Sequence, residues 1–444
     1  MSKQTLNRFD FTMIMVTLVI GMGIFRTPVN VAAQAPNAAT FFAVWIFGGI
    51  VAICGALTYA EIGSRYPVTG GYYKIFSYAY HPSIAFAINC IILISNAASL
   101  AGVSLIGAEY IIKVLLPNAT NTQPIQIGIA IFSILLFYGI NLAGLKMSAR
   151  TQNVLAVIKI SLIVLLITPL FFYTNTDANT ITSSVIISPT LKEYVKAFGL
   201  GLVAVSFTYG GYQQTINFGE EVKNPAKNIP LGIIYGLLII IVLYLTINYT
   251  YYKIIGFATL QTSTNIAAIL AKHVLGSAAA NVLSVLLFMG VLAYVNALLM
   301  SNPRVMQAMG EEGTLPKFFA KRTQKNEVLF NSLSIFTAIT LLIVFWAKTF
   351  DDILSFTIFL DCIGMVFSAA TIFKLRKTTA HLNGKGIFMM KLYPLLPLIF
   401  IATYTFVATI IFIDKPATGF LGLKILGAFM VLYFITQYVS KKKL

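Results

Sequence analysis

Charged residues are scarce in this sequence, at 10% of 444 residues, whereas hydrophobic residues make up 58%. A soluble domain of this length needs more charge to cover its surface, which argues against a water-soluble globular protein. Histidine and cysteine are also rare, with three of each. Because Cys54, Cys90 and Cys362 all lie inside apolar runs, we expect neither a disulfide framework nor a metal site.

Patterns typical of other protein classes are missing as well. The sequence contains no Gly-x-x-x-x-Gly-Lys-Ser/Thr phosphate loop, so we expect no ATP-driven motor on this chain. No apolar run contains a nucleophile with a base, a metal cluster or a pair of acids, so we expect neither an enzyme nor a cofactor. The net charge of +17 is spread between the apolar runs, which argues against nucleic acid as a partner.

Apolar runs of about 20 residues dominate the chain, and a helix of that length crosses about 30 Å of hydrocarbon. We therefore predict an all-α integral membrane protein with the lipid bilayer as its partner. The twelve predicted transmembrane helices span residues 11–35, 40–63, 83–112, 124–143, 153–174, 194–217, 230–252, 277–303, 329–348, 352–374, 391–413 and 418–439.

The loop charges indicate an orientation. An even number of spans places both termini on one side of the membrane. Most lysine and arginine residues fall in segments that lie inside the cell if the N-terminus is cytoplasmic. The positive-inside rule therefore predicts cytoplasmic N- and C-termini, with the protein in the plasma (inner) membrane.

Two predicted spans are interrupted by glycine near their middles. Span one contains Gly21 and Gly23, and span six contains Gly210 and Gly211. Each glycine weakens a helix by about 1 kcal/mol relative to alanine. Interruptions five spans apart are typical of two inverted five-helix repeats with a binding site between them. The alternative is that the glycines only allow close helix packing.

These interruptions suggest a domain organisation and a ligand. We predict one transmembrane domain, 1–444, with repeats at 11–174 and 194–374 and two additional helices at 391–439. Free N–H groups at the start of the half-helix after the first break suit a carboxylate. Free C=O groups at the end of the half-helix before the second break suit an ammonium. Such a site fits a zwitterionic α-amino acid.

The motifs around the breaks resemble those of the amino acid–polyamine–organocation permease superfamily, and most resemble its L-type amino acid transporter branch. The resembling residues are 21–25, 59–67 with 70–71, 207–212, 220–230 and 313–319. The resemblance implies the leucine-transporter fold, a 5+5 inverted repeat with discontinuous helices 1 and 6, and secondary transport of amino acids.

The resemblance also implies site residues. Phe207 would be the aromatic lid over the substrate. The loop at 113–123 has no cysteine, so no covalent partner subunit is implied. The implied substrate-binding residues are Ile20, Gly21, Met22, Gly23, Ile24, Phe207, Thr208, Tyr209, Gly210 and Gly211.

Charged residues inside the spans need a reason, because each costs at least about 2.5–3.5 kcal/mol at the bilayer centre. We predict that Arg26 and Asp361 form an outer gate that is closed when they pair. The alternatives are that Arg26 binds a second carboxylate of an acidic substrate, or that backbone and water satisfy each charge separately. Glu61 and Glu109 lie nearer span ends, where snorkelling is expected.

Lys159 is a further charged residue within a span. In the fold that the resemblance implies, its ammonium would occupy the place of the sodium ion in sodium-coupled relatives and hold carbonyls at Ile20 and Gly21. This assignment predicts sodium-independent transport, with Lys159 as the candidate for proton coupling. The alternative is that the lysine snorkels to the cytoplasmic surface.

Together these features predict a secondary active permease or exchanger of small L-amino acids that works by alternating access. The alternatives are a non-transporting amino acid sensor of the same fold, or a transporter of acidic amino acids or polyamines.

Overall fold

The structure is a computed structural model. It describes residues 6–21, 23–68, 71–119, 122–172, 190–219, 222–263, 266–324, 328–346, 350–384 and 386–441. Within these ranges the regular secondary structure is helical, apart from an isolated parallel bridge between Leu6 and Val222.

The helices in the first part of the chain include one long central helix, α5. They are α1 (Arg8–Val19), α2 (Gly23–Gln34), α3 (Ala38–Arg65), α4 (Gly71–Ala79), α5 (Pro82–Leu115), α6 (Gln123–Leu142), α7 (Leu145–Ile167) and α8 (Pro169–Phe172).

The second part begins with a helix that continues into a 3-10 segment. Its α-helices are α9 (Leu191–Tyr209), α10 (Pro225–Ile255), α11 (Phe257–Thr262), α12 (Ile266–Leu275), α13 (Ser277–Glu311), α14 (Phe330–Trp346), α15 (Phe350–Thr378), α16 (Leu395–Asp414) and α17 (Pro416–Lys441). Its 3-10 helices are Tyr212–Asn217, Lys317–Ala320 and Ala380–Leu382.

Local sequence explains where several helices begin. The Asn37 side chain accepts a hydrogen bond from the Thr40 amide at 2.8 Å and caps α3. Thr190 and Glu193 form a reciprocal capping box at the start of α9. Hydrogen bonds from the Thr190 backbone and side chain lower the pKa of the Glu193 carboxyl, so it is ionised near the positive end of the helix dipole.

The described residues contain nine helices that are long and apolar enough to cross a membrane, and the bent pair α1–α2 makes a tenth. Each of the twelve predicted spans coincides with helical residues, although α14 is shorter and α9 starts with charged residues. The prediction of an all-α integral membrane protein is confirmed. The number twelve and the two repeats stay predictions.

Burial shows which helices position the centre of the molecule. In the apolar 18-residue stretch that marks α5 as a span, 83% is buried inside the protein, whereas the corresponding share in α17 is 17%. Thus α5 lies at the core, packed against α13 and α15, while α17 lies at the periphery. The two halves of the bent span pack against different neighbours. Helix α1 packs against α10, and α2 packs against α9.

Candidate substrate site

The first break separates α1 from α2, which are bent by 41° relative to each other. Because α1 stops at Val19, its last carbonyl groups have no helical donor and need partners from elsewhere. The Tyr244 hydroxyl donates to the Val19 carbonyl at 3.1 Å, and the Lys159 ammonium donates to the Ile20 carbonyl at 2.5 Å. Side chains from α10 and α7 therefore hold the inner half of the broken helix.

The second break follows α9. Gly210 has an extended backbone, and Gly211 has φ of +116°, a conformation that favours glycine. The Gly211 amide donates to the Gln213 side chain at 2.8 Å, which replaces the helical hydrogen bond lost at the break. The chain then continues as the 3-10 helix Tyr212–Asn217.

The two breaks pack directly against each other. A Cβ atom added to Gly23 would lie 2.7 Å from the Thr208 hydroxyl, so the start of α2 touches the last turn of α9. A Cβ atom added to Gly211 would overlap the Leu18 carbonyl, so the second break touches the end of α1. Each break thus lies in contact with the other broken helix. Glycine is required at both positions because a side chain would not fit between the two backbones.

A cavity of about 50 Å³ opens at this junction. That volume is enough for a few water-sized groups. The break residues that line it are Gly21, Gly23, Phe207, Thr208, Gly210 and Gly211. Polar residues from the surrounding segments complete the wall, namely Asn96, Ser99, Ser206, Gln213, Gln214, Tyr294 and Asp361.

Three other predicted substrate residues, Ile20, Ile24 and Tyr209, are not among the described residues that line this cavity. Ile20 and Ile24 are fully buried. The Tyr209 side chain packs against Trp45 and Tyr244, so only its backbone belongs to the break. Met22 lies outside the described residues.

Lys159 is buried in α7, with 1% of its surface exposed. Its alternative interpretation, snorkelling to the cytoplasmic surface, is wrong because the ammonium points inward to the Ile20 carbonyl. The hydrogen bond joins α7 to the first break across 139 residues of sequence.

The predicted gate residues lie in different surroundings. Asp361 lines the cavity and accepts a hydrogen bond from the Ser95 hydroxyl at 2.6 Å. Arg26 is half-buried in α2, is not among the described lining residues and lies within electrostatic range of Tyr110. Their pairing stays a prediction.

Glu61 corrects an expectation. It does not snorkel: its side chain is fully buried and ion-paired with Arg65 and Arg376, each at 2.7 Å. The Met390 amide also donates to it at 2.9 Å. Glu109 does lie near a helix end, partly exposed and paired with Lys113.

Sequence reasoning missed the part of the polar wall that α5 and α13 supply. Asn96 donates to Asn302 at 2.7 Å, and Ser99 and Tyr294 share a hydrogen bond of 2.7 Å. The available signal was the pair Ser95 and Asn96 inside the apolar run of α5, because polar groups at membrane depth usually face the bundle interior.

Known proteins have sequences similar to that of this chain. The profile of the amino acid permease family matches residues 6–435. The chain is 31% identical over 333 residues to the methylthioribose transporter of Bacillus subtilis (strain 168), covering 72% of this chain and 69% of that protein. It is 27% identical over 403 residues to the serine/threonine exchanger SteT of the same organism, covering 90% and 89%.

An animal relative extends the similarity to nearly the whole chain. The Asc-type amino acid transporter 1 of Mus musculus is 22% identical over 432 residues, covering 96% of this chain and 79% of the relative. These matches confirm the resemblance to the superfamily and to its L-type branch. A family profile across almost the full length shows that the chain belongs to the amino acid permease family.

Proposed function

We propose that the chain is a secondary transporter, a permease or exchanger, that carries small L-amino acids by alternating access without sodium. The observation that carries this proposal is the contact between the two breaks. Each break lies against the other broken helix, and a small polar cavity opens between them. Unwound backbone at membrane depth is tolerated where it lines a cavity, and this placement is the one a transported substrate needs.

Backbone groups supply the recognition of the amino acid. The first N–H groups of α2, from Gly23 onward, have no acceptor in their own helix and lie at its positive end, which suits the substrate carboxylate. The last turn of α9, including Ser206 and Thr208, borders the same cavity and suits the ammonium. Phe207, which also lines the cavity, is assigned as the lid.

Lys159 supports the sodium-independent part of the proposal. Its ammonium donates to the Ile20 carbonyl beside the first break. A fixed positive charge at this carbonyl disfavours a second cation there. We assign Lys159 to stabilising the inner half of the broken helix and to coupling with protons.

The gating part of the proposal concerns both sides of the membrane. With cytoplasmic termini in a plasma membrane, α1 and Lys159 face the inner side and α2 with Arg26 faces the outer side. Arg26 and Asp361 are assigned as outer gate residues, and loosening of Lys159 from Ile20 accompanies inner opening.

Uptake by purified protein in liposomes tests the proposal. A panel of labelled amino acids is offered with and without internal counter-substrate, with sodium or choline outside, and with an imposed pH gradient. We expect uptake of small L-amino acids that does not need sodium. A strict sodium requirement contradicts the coupling assignment, and counter-substrate stimulation distinguishes exchange from net uptake.

The same experiment separates the alternatives. Saturable binding without flux indicates the sensor. Uptake of aspartate indicates an acidic substrate, and uptake of putrescine indicates a polyamine. Methylthioribose belongs in the panel because one relative is a methylthioribose transporter. Its uptake in the absence of any amino acid flux contradicts the proposed function.

A further inference from the structure

Asp361 brings a carboxyl group with few hydrogen-bond partners to the cavity wall. Among the described residues that line the cavity at the breaks, and a smaller cavity of about 20 Å³ beside it, Asp361 alone is charged. It lines both cavities. A carboxylate offers about four acceptor positions, and Ser95 supplies one donor, at 2.6 Å.

Three neighbouring amide groups already donate to other acceptors. Asn96 donates to Asn302 at 2.7 Å, and the Gln214 amide donates to Asn96 at 3.3 Å. Asn302 donates to the Leu298 carbonyl in its own helix at 2.9 Å. These three amide groups therefore donate to acceptors other than Asp361, whose carboxyl group keeps acceptor positions beyond the Ser95 hydrogen bond.

A second hydrogen-bond acceptor supports the same interpretation. Asn89 is fully buried and lines the smaller cavity together with Asp361. Its amide nitrogen donates to the Ala85 carbonyl at 2.7 Å, whereas its Oδ1 atom has no hydrogen-bond partner in the described part of the chain. A buried acceptor without a donor costs about 1–3 kcal/mol, so a ligand that supplies donors here is favoured.

The smaller cavity has room for one small group that supplies hydrogen-bond donors. About 20 Å³ holds a single water-sized group, such as one ammonium. An ammonium carries three donors and a full positive charge. Both properties fit a space lined by Asp361 on α15 and Asn89 on α5.

We propose that Asp361, with Asn89, receives the ammonium at the end of a substrate side chain, so that the site prefers short basic amino acids over neutral ones of equal size. This inference rests on the proposed function, since the backbone of the substrate is held at the two breaks. It adds a specificity-determining residue and names the substrate class. It also disfavours acidic side chains, which would face the carboxylate.

Two isosteric ligand pairs test the proposal: ornithine with norleucine, and 2,4-diaminobutyrate with norvaline. Binding is measured on the purified full-length protein by isothermal titration calorimetry. We expect the basic member of each pair to bind about tenfold more tightly or better, the usual worth of a hydrogen-bonded charge. Asp361→Asn should bring the ratio of the two affinities close to one. Asn89→Ala should reduce it about threefold or more, since it removes one neutral acceptor.

Glu109→Gln is the matched control, because it removes a partly exposed carboxylate from the outer end of α5 and should leave the ratio unchanged. Equal binding of ornithine and norleucine to the wild type overturns the proposal. So does an equal loss of both ligands in Asp361→Asn, which indicates a structural or gating role.

Proton uptake with neutral amino acids that disappears in Asp361→Asn also overturns it, since the carboxylate then binds a proton. If alanine or serine is still taken up into liposomes in these cases, the proposed function stands. If no amino acid binds the wild type at all, the proposed function fails together with this inference.

Discussion

The carboxylates of Glu61 and Asp361, both within predicted spans, differ in how completely their partners satisfy them. Glu61 accepts hydrogen bonds from Arg65, from two nitrogen atoms of Arg376 and from the Met390 amide, all at 2.7–2.9 Å. In the described part of the chain Asp361 accepts a hydrogen bond from Ser95. The charge of Glu61 is matched by two guanidinium groups, whereas that of Asp361 faces a cavity.

The difference separates a charge that holds the fold from one that can bind a ligand. The Glu61 cluster joins α3 to the end of α15 and to the segment before α16, and Arg65 extends it to Thr379 and Asn383. Such a network fixes one geometry. A carboxylate with one neutral partner contributes little to fixing the helix arrangement. Removing it from water costs free energy unless a cation or a proton binds to it.

The largest effect on stability is expected at the cluster. Glu61→Ala leaves two guanidinium groups without their buried acceptor and should lower the free energy of unfolding by about 3–5 kcal/mol. Glu109→Ala removes an exposed pair with Lys113 and should cost about 1 kcal/mol or less. Chemical unfolding in detergent measures both.

Asp361→Asn completes the comparison in the same unfolding experiment. It should change stability by less than about 1 kcal/mol, because the amide keeps the Ser95 contact and loses a costly charge. A loss as large as that of Glu61→Ala contradicts the distinction between the two carboxylates.

The next largest effect concerns the breaks. Gly211→Val requires a branched side chain at φ of +116° and places its Cβ against Leu18, and Gly23→Val drives a side chain into Thr208. Each should weaken amino acid binding about 100-fold or more, because the backbone donors and acceptors move apart. Gly139→Val is the control, since a Cβ atom there meets nothing within 4 Å. Normal binding by both break variants contradicts the site.

The spans and the breaks were predictable because their signals are local. Hydrophobic length marks a span, and paired glycines mark an interruption. The Glu61 cluster was not predictable from the sequence. Arg376 is separated from Glu61 by 315 residues, and no local sequence pattern around Glu61 indicates this ion pair. The polar wall depends likewise on packing, with Asn96 and Asn302 separated by 206 residues. The inward direction of Lys159 came from the resemblance, not from spacing.

A smaller effect is expected at Lys159, a buried cation with one carbonyl partner in the described part of the chain. Lys159→Ala releases the inner half of the first broken helix, so transport should slow about tenfold while binding from outside changes less. The pH dependence of uptake should also change, because the variant lacks the amine that we assign to proton coupling. Transport assays at several pH values, beside equilibrium binding, measure both. Unchanged rate and unchanged pH response contradict the assignment.

The smallest expected signal is a partial rescue at the outer gate. In this structure Asp361 accepts a hydrogen bond from Ser95, and its pairing with Arg26 stays a prediction for another conformation. Arg26→Glu and Asp361→Arg should each slow transport, because each places like charges at the closing gate. The double variant should recover a few-fold of the rate, since the opposite charges are restored in exchanged positions. The recovery is limited because Asp361 also lines the cavity. A double variant whose loss equals the sum of the two single losses contradicts the pairing, and Asp361 then acts on the substrate side alone.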